Sequence, residues 1–80
     1  MKHTVTVTTT GDPMTDALVA DLERLGAAVV GSDEATRCDA TFTIEAVDAP
    51  SATALAIEGV RAVRGEVHVD AVTVVTDPPA

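Results

Sequence analysis

The chain has 80 residues, 46% of them hydrophobic but only one aromatic, Phe42, and a formal net charge of -8 from 13 acidic against 5 basic side chains. A field of that sign repels phosphate, which sets aside nucleic acid and anionic membrane surfaces as partners. A single cysteine, Cys38, excludes an intramolecular disulfide scaffold.

Eighty residues make one domain. It is expected over residues 1–76, with 77–80 as a frayed tail. A chain this short buries roughly 60–65% of its unfolded surface, and its total stability falls at about 4–12 kcal/mol. The core must come from Val, Leu, Ile, Ala and Met. The N-terminus has no apolar signal segment and no apolar run reaches spanning length, so a cytoplasmic location is expected.

Lys2 to Thr10 alternates apolar and hydroxyl side chains, with Val5 and Val7 facing one way and Thr4, Thr6 and Thr8 the other. That is the period of a strand with one buried and one open face. Asp12-Pro13 reads as an N-cap followed by proline at the first helical position. Met14, Leu18, Leu22 and Leu25 then recur at helical spacing, and Gly26 follows. These signals predict a helix over residues 13–25. Ala27-Ala28-Val29-Val30 is a short β-prone run, and Gly31 to Asp39 is polar and expected as a loop or a ragged hairpin arm.

Ala40 to Val47 is the second clear alternator. Ala40, Phe42, Ile44 and Ala46 take one face; Thr41, Thr43, Glu45 and Val47 take the other. A second helix begins at Asp48-Ala49-Pro50-Ser51, capped by Asp48 or Ser51, and ends at Gly65. Its expected buried stripe is Leu55, Ala56, Gly59, Val60 and Val63, with Gly59 marking close contact with the sheet. Arg61 and Arg64 complement the helix dipole in its last turn. Glu66 to Thr76 is the last strand. Val67 and Val69 share one parity, Val72 and Val74 the other, which places a β-bulge near Asp70-Ala71 or a strand start at Ala71.

The element order is strand, helix, strand, strand, helix, strand. With right-handed crossovers it gives an α+β fold, the ferredoxin-like βαββαβ two-layer sandwich, with a four-stranded antiparallel sheet and two helices on one face. Its spatial strand order is fourth, first, third, second. Val5, Val7, Phe42 and Ile44 then point at the helices. Two helices cannot cover both faces, so Thr4, Thr6, Thr8, Thr41, Thr43 and Glu45 must meet water or another subunit. Threonine suits a solvated strand through its β propensity, and its hydroxyls also suit a partly wet sheet-to-sheet interface.

Little in the chain points to chemistry. His3, His68 and Asp70 fall on neighbouring strands and form a conceivable metal site, but histidines at strand ends are more simply surface residues. Cys38 lies in the polar stretch between Arg37 and Asp39, with no positioned base to activate it. Asp33, Glu34 and Asp39 lack the spacing of a calcium loop. There is no phosphate-binding glycine loop, HExxH, G-x-S-x-G or CxxC. No catalytic, cofactor or metal residue is therefore assigned.

Leu22 to Val30 (Leu-Glu-Arg-Leu-Gly-Ala-Ala-Val-Val) and the lone strand aromatic Phe42 resemble subtilisin propeptides and the related small protease inhibitors. The resemblance implies the same strand-helix order and a C-terminal tail, here Val75 to Ala80, that occupies a protease cleft. Heavy-metal-associated domains and amino-acid-binding ACT domains share the fold, but the CxxC loop of the first and the ligand-loop glycine of the second are absent. The expected function is a non-enzymatic protein-interaction or assembly module that dimerises through its threonine face. The alternatives are a protease inhibitor or chaperone domain and a small enzyme of the dimeric α+β-barrel type.

Overall fold

The computed structural model describes residues 1–31 and 36–76. In chain order the elements are β1 (Lys2–Thr10), α1 (Asp16–Arg24), β2 (Ala28–Val30), β3 (Arg37–Glu45), α2 (Ala49–Arg64) and β4 (His68–Thr76). They form one antiparallel sheet in the order β2-β3-β1-β4. This is the expected α+β sandwich, with the two alternating segments at its centre. Val5 lies opposite Phe42 and Thr6 opposite Thr41 in the β1–β3 register.

The sheet contributes Val5, Val7, Cys38, Ala40 and Phe42 to the core, and the helices contribute Leu22, Ala52, Ala56 and Val60. All five sheet residues share the helix-facing parity, so burial alone drives both strands into this register. α2 starts where Asp48 accepts from the Ser51 amide at 2.8 Å. Bonds from the Ser51 hydroxyl and amide hold the Asp48 carboxyl below its ordinary range. The helix ends at Gly65, whose φ of 76° favours glycine.

Several expectations are corrected. α1 begins at Asp16 rather than Pro13, because the Thr15 hydroxyl accepts from the Leu18 amide and is the working N-cap. Met14 is still fully buried, but it reaches the core from the segment before the helix. Leu25 and Leu55, expected on buried stripes, are each about half exposed, and Ala52 takes the buried turn of α2 instead. The second alternator runs from Arg37 to Glu45, not Ala40 to Val47. Ala46 and Val47 lie beyond it, Val47 largely in solvent.

Cys38 and Asp39 therefore belong to a strand and not to a loop. Cys38 opposes Thr9 and is buried. Desolvation pushes its thiol pKa up, partly offset by the Arg64 guanidinium and reinforced by Asp39. Asp33, Glu34 and the tail 77–80 lie outside the described residues. β4 starts at His68, and the expected bulge is present. Thr8 opposes Ala71 while Thr9 opposes Val69, which leaves Asp70 as the extra residue. The bulge corrects the valine phase, so Val69, Val72 and Val74 all oppose core-facing residues of β1.

Arg64 ties the loops at one end of the sheet. It donates to Thr9 Oγ1 and to the Asp12 carbonyl, both at 2.7 Å. Gly11 completes this corner by donating its amide to the Thr36 carbonyl at 3.0 Å. A Cβ at Gly11 would lie 2.6 Å from Val67 Cγ1, so no larger residue fits without displacing β4's approach.

Candidate interaction face

The face of the sheet away from the helices is built by the parity opposite to the core. On β1 it presents Lys2, Thr4, Thr6, Thr8 and Thr10; on β3, Arg37, Asp39, Thr41, Thr43 and Glu45; on β4, His68, Ala71, Thr73 and Val75, with the bulged Asp70 beside Thr10. β2 adds Ala28 and Val30. All six residues singled out from the sequence, Thr4, Thr6, Thr8, Thr41, Thr43 and Glu45, stand on it. Thr10, Arg37, Asp39, Thr73 and Val75 share it and were missed. Their parity was legible for the first and last strands; for β3 the polar run hid it.

The hydroxyls are not idle. Thr6 and Thr41 share a hydrogen bond at 3.0 Å, Thr8 donates to Asp39, and Thr10 donates to Asp70. Each bond joins neighbouring strands on the open side and fixes rotamers across the sheet. Thr4, Thr6, Thr8 and Thr10 are each half-buried, since neighbouring side chains shield them. Val30 and Val75 remain mostly exposed at the two margins, 69% and 55%.

Charge on this face is close to balanced. Lys2 and Arg37 stand against Asp39, Glu45 and Asp70. Glu45 lies 3.4 Å from the Met1 ammonium, and Asp70 lies 3.8 Å from Arg37 and 3.4 Å from His68. Among the described residues only these three acidic side chains are on the face. Asp16, Asp21, Glu23 and Glu58 are carried by the helices. Among the described residues the negative excess therefore lies off this face.

The histidines do not meet. His3 opposes Thr76 and His68 opposes Thr10, which puts them at opposite ends of β1 and on opposite sides of the sheet. His3 is not a surface residue either. It is 1% exposed, its Nε2–H donates to the Ala46 carbonyl at 3.2 Å, and its Nδ1 pairs with the Thr76 hydroxyl at 2.9 Å. Both ring nitrogens are satisfied, so the residue closes the end of the core rather than offering a ligand. Among the described residues no group of three His, Cys, Asp or Glu side chains is placed to hold a metal ion. Among them, too, no helix is long and apolar enough to cross a membrane.

Compared with known proteins, the chain matches no family model, no curated protein and no solved structure.

Proposed function

We propose that the chain is a non-enzymatic interaction and assembly module that pairs with a second copy through its threonine face. One observation carries this reading: in a chain of net charge -8, the broad sheet face away from the helices is close to charge-balanced among the described residues. Two copies approaching by this face keep their acidic remainders apart. The alternating Lys2/Glu45 and Arg37/Asp70 groups at its ends give such a contact orientation.

The size of the face sets the expected strength. Three nine-residue strands at ~3.3 Å per residue and ~4.8 Å spacing give a face of roughly 30 by 14 Å. Two of them bury about 840 Å², below the range of about 1,200–2,000 Å² for stable specific interfaces. The pairing is therefore weak and concentration-dependent. It also tightens with added salt, which screens the repulsion between the acidic remainders.

Sedimentation velocity over a concentration series tests this. The wild type is expected to associate more as concentration rises, and the Thr6→Lys, Thr43→Lys double variant to associate less than wild type with an unchanged circular dichroism spectrum; equal association of the two overturns the proposal. A wild type that remains monomeric at the highest soluble concentration overturns the proposal.

A further inference from the structure

The two edges of the sheet are treated differently. β2 offers three residues, whereas β4 offers nine and, among the described residues, has β1 as its one neighbour in the sheet. Long exposed edges are normally guarded by lysine, proline, inward charge or a bulge, because unpaired backbone groups template another strand. On β4 the guard is the Asp70 bulge, and it protects only the first third. From Ala71 to Thr76 the strand reads Ala-Val-Thr-Val-Val-Thr, with no charge, proline or glycine.

The core is also unfinished along this edge. Val69, Val72 and Val74 are only half-buried on the helix side. Their cross-strand partners Thr9, Val7 and Val5 are at most 1% exposed. The helical layer seals the centre of the sheet and stops short of its β4 margin.

We infer that the free edge of β4 pairs antiparallel with β4 of a second copy, about a two-fold axis at Val74, joining two four-stranded sheets into one of eight. The strand is complementary to itself in that register. Val72 lies opposite the partner subunit's Thr76, Thr73 opposite the partner subunit's Val75, and Val74 opposite the partner subunit's Val74. Every pair is β-branched on both sides, and such pairs favour strand pairing. The paired segment from Val72 to Thr76 carries no charged side chain, so no charges are set opposite one another within it. It would cover Val74 with the partner subunit's Val74 and Val72 with the partner subunit's Thr76. This contact uses the backbone edge and not the threonine face, so it stands or falls separately from the pairing proposed above.

Residue-resolved amide hydrogen exchange at low and high protein concentration tests it. The edge-facing amides of residues 72–76 are expected to exchange at least about tenfold more slowly in the concentrated sample, while those of Ala28–Val30 on the other edge do not change. The Thr6→Lys, Thr43→Lys variant keeps this protection. Thr73→Lys with Val75→Lys, which sets lysine opposite lysine in the antiparallel register, abolishes it. Equal exchange at both concentrations overturns the inference. So does protection that is already full in the dilute sample, which means that the chain's own residues or a foreign strand cover the edge. Protection lost in the Thr6→Lys, Thr43→Lys variant overturns it as well, because face packing is then its cause.

Discussion

Phe42 and Thr43 are consecutive residues of β3, and their surroundings have nothing in common. Phe42 faces the helices, lies opposite Val5 and is 5% exposed; Thr43 faces away, lies opposite Thr4 and is exposed. The same contrast runs the length of β1 and β3. On one side the chemistry is aliphatic, closed and uncharged apart from the capped ends at His3 and Thr9. On the other it is hydroxyl-rich, hydrogen-bonded between strands and balanced in charge. A backbone shared by both faces means that stability and association can be altered independently.

The largest expected effect comes from breaking the closed side. Phe42→Ala removes the one aromatic from a core otherwise made of non-aromatic side chains. A loss of about 3–5 kcal/mol follows, a large part of the total for a domain of this size. Thr43→Ala, one residue along, is expected to change stability by no more than about 0.5 kcal/mol. Urea denaturation at a concentration low enough to keep the chain monomeric measures both. Comparable losses from the two would mean that the faces are not distinct.

A smaller effect marks the edge of the closed side. The Cys38 thiol is buried against Thr9 and its pKa is raised, first by desolvation. The unfolded chain ionises this thiol near 9.0, while the folded chain resists. Stability is thus unaffected below the unfolded value and is lost as pH climbs from there toward the folded one. Cys38→Ala has no thiol to ionise. Its stability deficit relative to wild type, measured by urea titration, should therefore shrink between neutral pH and pH above the unfolded value. A deficit that stays constant would show that the thiol is open to water.

Much of this organisation could be read before any coordinates, and the failures have physical causes. Period-two alternation gave the central pair and its orientation, since burying one face specifies the register. The valine phase slip located the Asp70 bulge. The beginning of β3 was hidden because Arg37 and Asp39 look like loop residues, yet on a strand with an open face charge belongs at that parity. Cys38, Ala40 and Phe42 continue the buried side without interruption. His3 was misjudged for a related reason. It shares parity with Val5 and Val7, but nothing local discloses that the Ala46 carbonyl and the Thr76 hydroxyl, 43 and 73 residues away, satisfy its ring. The start of α1 depended on two competing caps, and the hydrogen bond went to Thr15 rather than Asp12. What the open face meets is not a property of one chain, and its sequence records only a near balance of charge on it.

Gly59 sharpens the comparison from the helix side and carries the smallest effect. Its place on α2 suggests that the helix needs a missing side chain to approach the sheet. The geometry says otherwise. A methyl group there would sit 3.5 Å from the Phe42 ring and 3.8 Å from Leu25 Cδ1, ordinary contact distances. The residue lies in mid-helix, where glycine costs about 0.5–1 kcal/mol relative to alanine through backbone entropy. Gly59→Ala should therefore stabilise the fold by about that amount and add packing onto Phe42. Its effect should also depend on the aromatic ring: in a Phe42→Ala background the packing share disappears and only the helix-propensity share remains. A double-mutant cycle in urea separates the two. A destabilised Gly59→Ala single variant would mean that α2 is seated closer to β3 than those distances allow, and that the closed side tolerates no added volume even where the helix gains from it.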